Sequence, residues 1–112
     1  MEGKGHCAVI DVNDILAEQV EKWVNVDLTQ VNDAIVRLGL FEGEFHWHKH
    51  DVEDELFFVL EGTLLLDLPG GTEELTPWQG YTVPHGVMHR TRAEERTVVL
   101  MIEKAGVKPR GD

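Results

Sequence analysis

The first periodic stretch of the chain places Val12, Ile15, Leu16, Val20 and Trp23 on one stripe, with Asp14, Glu18, Glu21 and Lys22 on the other side. Asp11 or Asn13 can cap the short helix this predicts, an arm that packs on something. The period then changes to two: Val24, Val26 and Leu28 alternate with polar neighbours, Asn32-Asp33 supplies a turn, and Ala34 to Phe41 resumes an extended apolar pattern. Strands are predicted near 45–50, 55–60, 63–68, 73–75, 81–83, 89–93 and 97–103. Between them lie turn signals at Asp51 to Asp54, Glu61-Gly62, Pro69-Gly70-Gly71, Thr76-Pro77 with Gly80, Pro84 to Gly86, and Ala93 to Arg96. Many short strands at close spacing predict an all-β sandwich or barrel.

Three of these strands do not alternate. Leu56 to Leu60, Thr63 to Leu66 and Val98 to Ile102 are apolar on both faces, so both faces must be covered. One lines an interior; the other calls for the N-terminal helix or a second copy of the chain, and a two-fold homodimer is the expected cover.

Length and charge narrow the possibilities. The 112 residues suit one domain, 1–112, with an N-terminal arm over about 1–30, a barrel core over about 34–103 and a polar tail at 106–112 that is loosely held or lies along an edge. A net charge of -11, from 21 acidic and 10 basic residues without a Lys/Arg run, argues against nucleic-acid and anionic-membrane partners. No apolar run is long enough to span a bilayer, and Cys7-Ala8-Val9-Ile10 is too brief for a signal-peptide core. Cys7, the single cysteine, has no internal partner; it is expected as a buried free thiol in a cytoplasmic protein.

The chemistry concentrates in two segments, His46 to Glu55 and Pro84 to His89. On an extended strand His46, His48 and His50 share one face, so two adjacent pairs compete for a metal ion. Four residues separate His50 from Glu55, a spacing that fits a short turn and brings the carboxylate beside the His48–His50 pair. His46 is then a wall or orienting residue. Pro84 fixes φ and Gly86 tolerates positive φ, so the turn between them aims His89 inward. The candidate metal ligands are His48, His50, Glu55 and His89. Asp51, Glu53 and Asp54 belong to the turn, and Glu61 and His85 to the rim. Arg90 and Arg92, alternating with the inward positions, point away from the metal and serve the surface. Phe45, Trp47, Phe57 and Trp78 are expected in core or dimer packing.

These residues resemble the cupin superfamily. His48-Lys49-His50, Glu55 and Gly62 are similar to its first motif, and Pro84-x-Gly86-x-x-His89 to its second. Gly43 and Gly80 stand closer to their motifs than the usual glycine, and Ala93 stands where asparagine is typical. The chain as a whole resembles the short single-domain cupins related to mannose-6-phosphate isomerase. The resemblance implies a small antiparallel jelly-roll β-barrel, one divalent metal held by the three histidines and the glutamate, and dimerisation.

Three imidazoles and one carboxylate suit a transition metal, Fe, Mn, Ni, Zn or Co, and leave coordination positions open; the one cysteine is remote, against a closed structural zinc site. The function expected is binding of a small oxygen-rich molecule, with dioxygenase or isomerase chemistry ahead of a non-catalytic binding module or a purely structural dimer. No second catalytic group stands out. No Lys or Arg falls on the inferred inner face, which argues against a phosphorylated sugar.

Overall fold

A computed structural model describes residues 6–106 and 111. Helix α1 (Val12–Ala17) is followed by strands β1 (Val24–Val31), β2 (Ala34–Glu44), β3 (Glu55–Glu61), β4 (Leu64–Leu68), β5 (Gly71–Leu75), β6 (Gly80–Val83) and β7 (Arg90–Lys104). All described pairings are antiparallel. The strands run in the order β1-β2-β7-β3-β6, and β4 joins the first part of β7 while carrying β5 on its other edge. This is a jelly-roll arrangement of strands. Among the described residues it curls without a hydrogen-bonded seam between β1 and β6.

Alternation decides which side chains face inward. Across the sheet Asp27, Arg37, Met101, Phe57 and Tyr81 stand opposite one another, as do Glu103, Glu55 and Val83, and directly opposed residues share a face. The interior is filled by Phe41, Phe57, Val59, Leu64, Leu66, Val83, Val99 and Met101. Gly39 makes room for one of them: a Cβ there would sit 2.6 Å from Cζ of Phe41, whose ring folds back over the glycine. On the outer face Leu28, Leu38, Leu40 and Val98 form a second cluster, against which Val12, Ile15 and Leu16 of α1 pack. The arm thus covers part of the two-sided apolar sheet. Leu56, Phe58, Leu100 and Ile102 remain half-buried on that face.

Asp11 caps α1, its carboxylate accepting from the Asp14 backbone N–H at 3.2 Å, and Asn32, at φ 53°, makes the two-residue turn between β1 and β2. Several expectations need correction. The helix ends at Ala17, leaving Val20 94% exposed and Trp23 beyond it. Residues 45–50 are not a strand; His48 makes one isolated bridge, to His89, its N–H donating to the His89 carbonyl and the reverse, each at 2.9 Å. The expected turn at Ala93 to Arg96 is continuous strand, because β7 is shared between β4, β2 and β3 and its polar residues 94–96 are simply exposed. Cys7 is exposed rather than buried. So is Trp78, at 74%, at φ 70° on the turn before β6. Of the tail, Gly106 and Gly111 are described. Gly111 lies so close to the His48–Lys49 backbone that a Cβ would stand 2.6 Å from His48 Cβ. The rest of the tail, 107–110 and 112, and the first five residues lie outside the described residues.

Candidate metal centre

His48, His50, Glu55 and His89 converge. Their ligand atoms lie within 4.8 Å of one another, and all four residues are buried, the most exposed at 8%. Three elements bring them there: the irregular 45–50 segment presents His48 and His50, β3 begins at Glu55, and His89 stands one residue before β7. The turn that aims His89 works as its residues require. Gly86 takes φ 79° and donates its N–H to the His50 carbonyl at 2.7 Å, which ties the two histidine segments together.

Hydrogen bonds to backbone set the tautomers. His48 Nδ1 donates to the carbonyl of His46, and His89 Nδ1 to that of Val87, each at 3.0 Å. A carbonyl only accepts, so Nδ1 carries the proton in both rings and Nε2 is left with a lone pair. His89 Nε2 then faces Glu55 Oε1 at 3.4 Å, as does His50 Nε2. Among the described residues neither Glu55 Oε1 nor His89 Nε2 has a hydrogen-bond partner. Electron-rich buried atoms turned toward one another need a positive charge between them. Ligands about 2.1 Å from a common ion stand about 3 Å apart when adjacent and about 4.2 Å when opposite, so spacings of 3.4 Å to at most 4.8 Å need to tighten by about half an ångström. The residues fit a transition-metal ion.

Protonation states agree. Burial, chiefly, lowers His48 to about 4, so its ring is neutral at neutral pH. Burial disfavours the Glu55 anion, and a positive charge shared with the facing His50 and His89 nitrogens is what holds the carboxyl below its usual range.

His46 is exposed and contributes its backbone carbonyl rather than its ring, which lies 4.2 Å from that of Phe45. His85 is at the rim, its N–H and Nδ1 both within 3.0 Å of Asp54 Oδ1. Arg90 and Arg92 do point away from the cluster, yet they are bound to the buried Asp67, at 2.8 and 2.7 Å to Oδ2, and Arg90 also lies 5.5 Å over the Trp47 ring.

Two residues missed in the sequence stand behind Glu55. Glu103, opposite it on β7, is 5% exposed, and Arg37 binds Glu103 Oε1 on one side and Asp27 Oδ1, at 2.8 Å, on the other. Arg37 is therefore an inner-face cation, contrary to expectation, but two carboxylates already engage it. Burial first, then the facing Glu55 carboxyl, push Glu103 up from its usual range against the pull of Arg37. The signal was the period-two count along β2 and β7, which puts 37 and 103 on the same face as 57 and 55.

Beside the cluster a cavity of about 30 Å³ is lined by Trp23, Phe41 and Phe45 on an aromatic side and by Thr91 and Glu103 on a polar one. That is room for about two water molecules.

A model of the cupin domain matches residues 36–103. The chain belongs to the cupin family. The uncharacterized protein YdbB of Bacillus subtilis (strain 168) is 46% identical over 90 residues, 80% of either chain. Among solved structures, a cupin-2 domain containing protein from Shewanella frigidimarina NCIMB 400 is 34% identical, with a TM-score of 0.82 over 86% of this chain and 94% of its own. Protein NMB1881 from Neisseria meningitidis is 25% identical, with a TM-score of 0.77 over 88% of this chain and all of the other.

Proposed function

We propose that the chain binds one divalent transition-metal ion, Fe, Mn, Ni, Zn or Co, through His48, His50, Glu55 and His89, and uses the open coordination positions to hold a small oxygen-bearing molecule. The observation that carries this is the buried convergence of four ligand atoms within 4.8 Å of one another, with the Nε2 lone pair of His89 turned toward Glu55 Oε1 at 3.4 Å. Three neutral imidazoles and one carboxylate leave a dication with a net charge near +1 and, in an octahedral arrangement, two free positions. The cavity beside the cluster, bordered by His48 and Glu55, leaves room for a small group next to the site. Such an ion supplies Lewis-acid polarisation of a carbonyl or enediol, or a binding place for substrate beside dioxygen. The protein's own part is to keep His48 neutral, fix the tautomers of His48 and His89 and hold the four side chains away from bulk water.

Dioxygenase or isomerase chemistry on a small oxygen-rich molecule is the reading we favour over a non-catalytic binding module. A phosphorylated sugar fits less well, because Arg37, the inner-face cation among the described residues, is engaged by Asp27 and Glu103. We place the protein in the cytoplasm as a homodimer whose half-buried outer residues, Phe58 and Ile102 among them, meet their copies.

Elemental analysis of protein purified without chelator tests the site: about one transition-metal ion per chain is expected, and His50→Ala and His89→Ala are each expected to deplete it strongly. Full occupancy in both variants refutes the ligand set. Anaerobic reconstitution with Fe(II), followed by oxygen uptake over a panel of diols, diketones and thiols, separates enzyme from binder; tight binding of one compound with no turnover of any decides for the binder.

A further inference from the structure

The aromatic side of the cavity has an unusual support. Trp23 is stacked on Phe41, with centroids 4.5 Å apart and planes 18° apart, and on Phe45, at 5.3 Å and 10°. It lines the same small cavity as His48, Glu55 and Glu103. Phe41 belongs to the regular part of β2, where it is 3% exposed, and cannot move without the sheet. Trp23 is different. It is half-buried and stands between the end of α1 and the first residue of β1, in a stretch that belongs to neither. Its neighbour Lys22 pairs with Glu42 at 3.5 Å with the ammonium largely in water, a contact worth little. Ring stacking, about 1 kcal/mol for each pair beyond the area buried, is what holds the indole over the cavity.

We infer that Trp23 is the size-determining wall of the metal cavity, and that the ligands the site admits are compact chelators, two adjacent oxygen donors on a skeleton of a few heavy atoms. The inference rests on the proposed metal site and adds to it what may enter. With the indole in place, about 30 Å³ accommodates the two donor atoms and little else. Removing the indole opens the aromatic side while Phe41, set in β2, and Glu55, set in β3, are held by the sheet. Asn25, exposed at the cavity edge two residues on, offers an amide to a ligand's outer polar group.

The test uses full-length protein loaded with Co(II), whose absorption bands report the ligand field, and two hydroxamates with the same chelating head: acetohydroxamate and benzohydroxamate. The wild-type protein is expected to bind acetohydroxamate at least tenfold more tightly. Trp23→Ala is expected to take up Co(II) at the wild-type level, to keep acetohydroxamate affinity within about threefold, and to gain at least tenfold for benzohydroxamate. Trp23→Phe, which keeps a stacked ring and guards against a folding defect, is expected to fall between. Equal binding of the two hydroxamates by wild type, or an unchanged ratio in both variants, overturns the role of Trp23. Failure of the wild-type chain to take up Co(II) at all overturns the metal-site reading and this inference with it, and is told apart from the first outcome by the metal count alone.

Discussion

At the scale of single residues the centre depends on groups that touch no ion. Glu103 stands between Arg37 and Glu55 with one oxygen taken by the guanidinium and the other, Oε2, buried without a hydrogen-bond partner among the described residues. Residues that hold a metal ligand in place commonly change metal affinity 10–100-fold when removed. Glu103→Leu is therefore expected to weaken metal binding by about that factor in a chelator competition assay, since it also strands Arg37. Glu103→Gln, whose carbonyl can accept from Arg37 and whose amide can donate to Glu55, is expected to stay within a few fold. Wild-type affinity in Glu103→Leu would show that Glu55 needs no such support. His48 gives a prediction of a different kind. Its native-state value is lowered from 6.5 to about 4 by burial. The folded chain thus binds a proton there less readily than the unfolded chain, and the stability tied to the neutral ring is present in full above about pH 6.5 and lost as pH falls toward 4. Metal-free protein is expected to lose stability across that window through this group, and His48→Gln to remove this part of the slope in denaturant midpoints taken at each pH.

At the scale of elements, what holds the ligand-bearing segments in register is backbone geometry at a few turns. Gly62, at φ 84°, enters β4 with its α-carbon against the opposing strand; a Cβ there would lie 2.8 Å from the Arg96 carbonyl oxygen and 2.9 Å from Thr97 Cα. Gly62→Ala carries both a left-handed backbone cost of about 1–2 kcal/mol and a clash with backbone that cannot rotate away, so a loss of roughly 3 kcal/mol is expected in chemical denaturation. Gly43→Ala, at φ 110° with open space around it, is expected to carry the conformational cost alone. If the two variants are equally stable, the close approach of the Gly62 turn to β7 is not what fixes it. The same elements show what a sequence can reveal. The convergence of the four candidate ligands was legible because the proline-glycine turn and the His-x-His spacing act locally, and local rules decide where His50 and His89 point. The 45–50 segment was misread as a strand because alternation places side chains correctly even where just one bridge to a neighbour forms. The break expected at 93–96 was misread because polarity there reflects exposure between partners of one long strand, a property of β2, β3 and β4 together. Arg37 and Glu103 escaped notice for a similar reason: each looks like an ordinary surface charge until the four-strand row that buries it is assembled.

At the scale of the whole molecule, the two apolar faces of the sheet have unequal covers. The inner face curls around its own core and the candidate metal centre. The outer face is covered by α1 where Leu38, Leu40 and Val98 lie, and these are at most 1% exposed. Six residues of helix cannot reach further, and Leu56, Phe58, Leu100 and Ile102, on adjacent strands β3 and β7, stay half-buried. In register these four form a contiguous patch, Leu56 opposite Ile102 and Phe58 opposite Leu100, of a composition that suits association more than solvent. The chain's charge of -11 sharpens the argument about what could sit there. Two such chains repel at long range, so a homodimer has to be held by apolar contact at the patch itself and should tighten with salt, whereas an association held by ion pairs would loosen. Sedimentation at micromolar concentration is expected to show a dimer that persists at about 1 M salt. Phe58→Glu and Ile102→Glu, each placing a charge on the outer face and none near the ligands, are expected to give monomers that retain their metal. A monomeric wild-type chain would assign the patch to no copy of itself, and a metal-free Phe58→Glu monomer would mean that the centre depends on the assembly as well as on its four ligands.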